Sequence, residues 1–480
     1  MKLTMGEVAA LLGASCGVPE RVVEGYSIDS RSLAPGQLFF AIRGPRFDGH
    51  QFVGQSLERG AVGAVVEQGF RDQAALAMAP ALLAVPNTVQ ALQNLGRAVR
   101  QNWARCLIAV TGSIGKSTTK EMIAALLARR FAVHKSPGNL NNHYGLPLAL
   151  LALELGHEVA VMELAMSAAG EIARLAEIAQ PQIGVVTNVA PVHLQFFDSV
   201  DAIAQAKREL IEYLTSAGGA AAAILNYDDD HVRKFAEGFA GRVVTFGFRE
   251  GADIRAAYVK AGEDAGSTFR VAGQKWDAEF RLSLPGRHQV QNALAALAVA
   301  SLFDIPVDDL RQALAQFQNL HQRGEIITLP GGVRIINDSY NSNPLAMICV
   351  LETLAAWPGA RRRIVVAGEM LELGPTSPAL HRVIGRRCAE SDLAWLIAVQ
   401  GDAQFLLEGA IEAGFPRERV RFFSDATQAG EFCQTLLEPG DVVLVKGSRA
   451  VRLETVTELL RCWPVAASAV HGRQNSEFVS

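Results

Sequence analysis

The sequence predicts an α/β protein of three domains, two of them built on nucleotide-binding-type sheets, and three observations predict it. From about residue 85 to 318, short apolar runs rich in β-branched residues alternate with helical patterns, the rhythm of a doubly wound parallel sheet. A second alternating set begins after Gly331-Gly332. The length of 480 residues, at roughly 150 per domain, divides into about three domains, each long enough to bury its own core.

Residues 1–84 form the first expected domain. They open on a short helical pattern from Met5 to Leu12 and continue into strand-like pieces at Gln37 to Ile42 and Ala64 to Val66. Pro86-Asn87 reads as the boundary. In the second domain, 85–318, strands are expected at Leu107 to Val110, Val159 to Met162 and Ile183 to Val186. In the third, 319–480, they are expected at Val333 to Ile336, Ile364 to Ala367, Leu396 to Val399 and Val442 to Val445. Three of these four run into a glycine near their C-terminal ends, Gly368, Gly401 and Gly447, where open parallel sheets place ligand loops. The third domain therefore reads as Rossmann-like, with residues 464–480 as a loose tail.

Composition excludes several classes of function. Lys+Arg 45 against Asp+Glu 49 leaves a net charge of −4, so no global positive field draws the chain to nucleic acid or an anionic membrane. A hydrophobic content of 49% with 20% charged residues is globular rather than disordered. Six cysteines without a C-x-x-C pair suggest neither a zinc knuckle nor a disulfide framework, and a reducing cytoplasm is the simpler setting. Glu7 interrupts the apolar N-terminal stretch, which therefore does not read as a signal peptide. No apolar run approaches the roughly 18 residues needed to span a bilayer.

The strongest local signal is Thr111-Gly112-Ser113-Ile114-Gly115-Lys116-Ser117-Thr118, set between an apolar strand and a helix whose Met122, Ile123, Leu126 and Leu127 share a face. Glycines let backbone N–H groups close around phosphates, Lys116 reaches the terminal phosphates, and the Ser117 hydroxyl suits Mg²⁺. The full Walker pattern asks for glycine where Val110 stands, so an ordinary glycine turn remains the alternative. Glu163 closes the strand Val159 to Met162 and is the candidate metal-holding carboxylate; its alternative is a solvated strand-end acid. His193 is a candidate second metal ligand or a structural histidine. Lys207, on a helical stretch with Glu209 nearby, reads by default as an exposed lysine.

Taken as an ordered set, the motifs resemble a known family. The glycine loop is followed by Gly138-Asn139-Leu140-Asn141-Asn142-His143, Asn188-Val189-Ala190-Pro191-Val192-His193, Ala206-Lys207, Gly286-Arg287-His288 through Asn292, Asp338-Ser339-Tyr340-Asn341-Ser342-Asn343-Pro344, Gly368 through Gly374, and Lys446-Gly447-Ser448-Arg449. Each block alone is weak, but their order and spacing resemble the Mur ligases over nearly the whole chain.

The resemblance implies a three-domain fold with a P-loop central domain and an ATP-dependent amide ligation through an acyl phosphate. The substrates it implies are UDP-N-acetylmuramoyl-tripeptide and D-alanyl-D-alanine, handled by a monomer. Joining two anions, carboxylate and γ-phosphate, demands concentrated positive charge. Lys116 and two Mg²⁺ ions, one on Ser117 and Glu163 and one near His193, would supply it.

By the same resemblance Lys207 would be a carbamylated metal ligand and Asn292 an adenine contact. Arg323 and Asp338 would meet the γ-phosphate and ribose. Ser30, Arg31, Arg43 and Gly44 would face the uridine nucleotide, although Arg43-Gly44 also fits a hairpin turn. Asn139 and Asn142 would face the muramoyl-peptide. Tyr340, Asn341, Ser448 and Arg449 would serve the substrate end of the third domain, with a cation positioned for the dipeptide carboxylate.

Three departures from the family pattern stand out: Ser167-Ala168-Ala169 after the strand-end Glu163, Gln195-Phe196-Phe197 after His193, and Asn337 where aspartate is usual. The alternatives left open are another amino-acid ligase of the superfamily, of the tripeptide-forming or folate/cyanophycin type, or a non-catalytic nucleotide-binding relative.

Overall fold

Strict alternation along the strand Cys106–Thr111 explains how the central sheet is layered. Leu107 and Ala109 point into one apolar core and Ile108 and Val110 into another, so the strand is buried on both faces as a parallel sheet between helices requires. The first core is closed by helices Thr88–Trp103, Glu171–Ala179 and Val200–Ala217, the second by Lys116–Leu127 and Arg287–Ala300. The computed structural model describes residues 2–44, 47–71, 78–192, 194–218, 220–262, 266–272, 275–318 and 320–463. The expected tail at 464–480 lies outside them.

The chain divides into two units, Met1–Gln318 and Asn319–Ser480. In the first, the strands Gly25–Ser27, Gln37–Phe40, Gly63–Glu67 and Leu82–Val85 form a parallel sheet in that order. The second sheet of this unit has nine strands among the described residues. From one edge it runs Val133–Lys135, Val159–Glu163, Cys106–Thr111, Ile183–Val186, Ala222–Asn226, Arg242–Gly247 and Ile254–Ala261, all parallel. After Cys106–Thr111 the chain builds first to one side and then to the other, which places a topological switch point beside the glycine loop, where open α/β sheets bind ligands.

One part of the fold departs from the expected βα rhythm. Ile254–Ala261, Ser267–Ala272 and Asp277–Leu282 form an antiparallel meander on the far edge. Its signal was period-two alternation: in Asp277–Leu282 every second residue is buried, the pattern of a sheet with one wet face.

The second unit carries a six-stranded sheet among the described residues, ordered Glu325–Thr328, Arg334–Asp338, Asp441–Lys446, Arg362–Gly368, Trp395–Val399 and Val420–Phe423. Only the first pair is antiparallel. Register sets Asp338 beside Lys446 and Gly368 beside Val399, so these strands end together along one edge. Among the described residues no helix is long and apolar enough to cross a membrane, and all six cysteines are unpaired thiols.

Candidate active site

The glycine loop links the strand Cys106–Thr111 to the helix Lys116–Leu127, and backbone geometry dictates its glycines. Gly115 has φ 80°, and a Cβ there would lie 2.3 Å from Asn292 Oδ1; one at Gly112, with φ 146°, would lie 1.9 Å from Thr187 Oγ1. Neither position accepts a side chain without displacing a neighbour. The loop is held from behind by the turn after Ile183–Val186. Asn188 accepts from the Ile114 N–H through Oδ1 (2.9 Å) and donates Nδ2 to the Ile114 carbonyl (3.1 Å). Thr187 Oγ1 donates to the same carbonyl at 2.7 Å, and Ser113 Oγ bonds both the N–H and the carbonyl of Ala190.

Lys116 Nζ donates to the loop carbonyls of Gly112 (2.9 Å) and Ser113 (3.4 Å). The next residue, Ser117, donates Oγ to Glu163 Oε2 at 2.6 Å, and Asn141 Nδ2 donates to Glu163 Oε1 at 2.8 Å. Glu163 is 2% exposed; it is a held carboxylate, not a solvated strand-end acid. Asn292 accepts from Thr119 Oγ1 and donates to Gln289, and so lies against the last glycine of the loop.

Lys207 corrects its default reading. It is buried rather than exposed, because the helix Val200–Ala217 turns Ile203, Ala204, Lys207, Leu210, Ile211 and Leu214 to the interior, a stripe at helical spacing. Burial holds its amine well below the usual lysine range, and the positive charge of Lys116 lowers it further, which places the two lysines in one electrostatic neighbourhood. No ion pair to Lys207 is formed among the described residues. His193 lies outside the described residues.

In the second unit, Lys446 Nζ donates to Asp338 Oδ2 at 2.5 Å and to the Asn341 carbonyl at 3.0 Å. The Arg323 guanidinium stacks over the Tyr340 ring at 3.9 Å, with Arg449 over the same ring at 5.8 Å. Arg449 also donates to Gln322 Oε1 at 2.7 Å, and Ser448 Oγ accepts the Leu371 N–H at 2.9 Å. Five of the expected residues, Arg323, Asp338, Tyr340, Asn341 and Arg449, thus form two adjoining clusters.

Around the N-terminal sheet each expected residue is engaged with a neighbour within this part of the chain. Arg31 grips Asp29 with two parallel hydrogen bonds of 2.9 and 2.7 Å, which holds that carboxyl down to about 2. Ser30 is buried, its carbonyl accepting from Arg59 at 2.7 Å. Arg43 pairs with Asp48 and Glu67, and the Gly44 N–H closes a turn onto the Phe47 carbonyl at 2.9 Å.

Comparison with known proteins places this arrangement. Models of the Mur ligase family catalytic domain, the Mur ligase middle domain, and the Mur ligase glutamate ligase domain match residues 22–102, 110–300 and 322–449. The UDP-N-acetylmuramoyl-tripeptide–D-alanyl-D-alanine ligase of Bacillus subtilis is 32% identical over 95% of this chain and 98% of its own. The chain belongs to the Mur ligase family. Among solved structures, MurF from Acinetobacter baumannii superposes with a TM-score of 0.85 at 30% identity, covering 96% of this Mur ligase and 99% of that chain. MurF from Thermotoga maritima in complex with ADP gives 0.79 at 30% identity, covering 92% and 97%.

Several residues of the site escaped sequence reasoning. Among the three asparagines at 139–142, the expectation fell on Asn139 and Asn142. Yet Asn141 holds Glu163, whereas Asn142 Oδ1 accepts from the Tyr144 and Gly145 N–H groups at the start of the helix Gly145–Leu151. Asn139 is exposed. Asn188 and Lys446 were visible only as members of motifs; nothing in spacing says that one clasps the loop and the other pairs with Asp338.

The Asn337 departure has a local cause in this Mur ligase. Asn337 is 1% exposed, donates Nδ2 to Glu325 Oε2 at 2.9 Å and accepts from Ser339 Oγ at 2.7 Å. A carboxylate could not donate to Glu325. Asn337→Asp should therefore lower stability by about 1–3 kcal/mol, measured by urea unfolding at pH 7. The new acid would carry a folded-state pKa above its unfolded value, so the loss should be full above that raised pKa and relieved as the pH falls below it. Unfolding midpoints equal to wild type at pH 7 would contradict this account.

Proposed function

We propose that this Mur ligase joins D-alanyl-D-alanine to UDP-N-acetylmuramoyl-tripeptide with cleavage of ATP to ADP and phosphate, acting as a cytoplasmic monomer, where ATP and nucleotide-linked precursors are available. The observation that carries the reading is the Glu163 carboxylate held between Asn141 and Ser117, the residue that follows Lys116 in the glycine loop motif. Both names in the substrate assignment come from relatives similar over nearly the whole chain. The domains are assigned as 1–84 for the uridine nucleotide, 85–318 for ATP and 319–480 for the dipeptide.

In the first step a carboxylate oxygen of the tripeptide attacks the γ-phosphorus. The bond to the ADP oxygen breaks, and an acyl phosphate forms. The dipeptide amine, in its neutral form, then adds to the acyl carbon, giving a tetrahedral intermediate that loses one nitrogen proton, expels phosphate, which carries that proton away, and leaves the amide. Lys116 neutralises charge on the transferring phosphoryl group, and the loop N–H groups bind the phosphates. Asn292 is assigned to the adenine, Arg323 to the γ-phosphate and Asp338 to the ribose. Thr111 to Thr118 line the phosphates; Ser30, Arg31, Arg43, Gly44, Asn139 and Asn142 face the first substrate, and Tyr340, Asn341, Ser448 and Arg449 the second.

A hydroxyl and a carboxylate oxygen 2.6 Å apart are hard donors of the kind Mg²⁺ takes, with one or two protein ligands and phosphates completing its shell. When bound, Mg²⁺ would lower the repulsion between the two anions. Ser117 and Glu163 would hold one ion. His193 and a carbamylated Lys207 would hold a second. Lys207 suits carbamylation because its amine is buried with no carboxylate partner among the described residues, and conversion to an anion would offset the Lys116 charge that opposes it.

The reading is tested by following phosphate release from ATP with UDP-N-acetylmuramoyl-tripeptide, with and without D-alanyl-D-alanine. Release should depend on the dipeptide. Release indifferent to the dipeptide would overturn the assignment, and nucleotide binding without turnover would mark a non-catalytic relative.

A further inference from the structure

The helix that begins at Lys116 carries a second lysine one turn on, and the mechanism above leaves it without a task. Lys120 is fully buried, 0% exposed. Its three ammonium hydrogens have three acceptors: the Ser136 carbonyl at 2.6 Å, the Gly138 carbonyl at 3.2 Å and Glu121 Oε1 at 3.2 Å. Glu121 is itself paired with Lys135. Taking an ammonium out of water is costly, and an apolar residue of similar volume is often no less stabilising in such a place. Bulk stability is therefore a poor reason for a lysine here.

What Lys120 grips is informative. Ser136, also 0% exposed, accepts the Glu163 N–H through Oγ at 3.1 Å and donates its own N–H to Val161. Gly138 has φ 51°, the left-handed conformation that turns the chain toward Asn141. Asn141 donates to Glu163 Oε1, and its carbonyl accepts the Ala165 N–H at 2.9 Å. The segment 136–141 thus touches Glu163 at both backbone and carboxylate, and Lys120 fastens that segment at two carbonyls to the P-loop helix.

We propose that Lys120 is a positioning residue that sets the Glu163 carboxylate, through the Ser136–Asn141 segment, at the separation from Ser117 that a divalent cation needs. It touches no reacting atom. Groups that orient a ligand carboxylate in this way are worth about 10- to 100-fold in metal affinity or activity. The proposal rests on the ligase reading for its effect on turnover, but not for its effect on cation binding.

The test uses the full chain with Lys120→Met, Lys120→Arg and the double variant Lys120→Met/Glu121→Gln, which avoids leaving Glu121 short of a partner. Mn²⁺ binding in the presence of a non-hydrolysable ATP analogue is read by electron paramagnetic resonance, with folding checked by circular dichroism and thermal melts. In the Met variants the Mn²⁺ dissociation constant should rise about 10- to 100-fold and kcat should fall comparably, with KM for the dipeptide unchanged. Lys120→Arg should recover part of both. Folded variants with wild-type Mn²⁺ affinity would overturn the proposal, as would failure of all three to fold, which would make Lys120 a structural lysine. If wild-type phosphate release ignores the dipeptide, the ligase reading fails while the Mn²⁺ measurement still decides Lys120.

Discussion

Lys207→Ala should abolish turnover, to roughly 10²- to 10³-fold below wild type or further, and short carboxylic acids such as acetate or propionate should restore part of it. The rescue follows from what the residue is proposed to become: a carboxylate-like anion at the end of a buried side chain. A small acid entering the space left by truncation can offer the same two oxygens. Undiminished activity, measured as dipeptide-dependent phosphate release, would remove Lys207 from the site. Stability gives an independent reading. Because burial depresses the Lys207 amine, the unfolded chain binds more protons than the folded one between the depressed value and the usual lysine range. In CO₂-free buffer, stability should accordingly rise with pH through that window. Lys207→Met should remove this increment and be at least as stable as wild type at neutral pH.

Lys116→Ala should reduce kcat by at least about 10²- to 10³-fold, the scale on which single electrostatic stabilisers of a transition state act, and should weaken ATP binding less. Its ammonium is already oriented by the Gly112 and Ser113 carbonyls, so little rearrangement precedes phosphate binding. The kinetic signature distinguishes it from a loop-integrity defect: loss should fall on kcat rather than on KM for the dipeptide. An equal rise in both KM values with kcat unchanged would mean that Lys116 binds substrate without stabilising the transition state.

The features legible in the sequence were those written in contiguous residues. The loop Thr111 to Thr118 reads directly because its glycines are demanded by local backbone geometry, and Ile183–Val186 reads directly because a strand buried on both faces is an apolar run. The meander at 254–282 was missed because half of each of its last two strands is polar, and the alternation with helices on either side hid it. Asn141 was missed because three asparagines in four residues are equivalent until the chain's path fixes which one meets Glu163. Lys207 was misjudged from its residue type, although Ile203, Leu210 and Leu214 on its own stripe carried the information that it faces inward. Asn188 and Lys120 depend on contacts across 74 and 16 residues, a separation that no local pattern records.

The helix Thr88–Trp103 has a wider consequence for how this ligase can be taken apart. The sequence places a boundary at Pro86-Asn87, and the strands do change sheet there, but the apolar core does not stop. Leu38, Phe40, Val65 and Leu83 from the N-terminal sheet share one continuous cluster with Leu92, Leu95 and Val99 of the helix and with Leu107, Ala109 and Met162 of the central sheet. Cutting the chain at residue 86 would strip that cluster open on both fragments. The N-terminal sheet is therefore no detachable cartridge: any chimera that exchanges it between ligases has to carry the matching seam of helix Thr88–Trp103 with it.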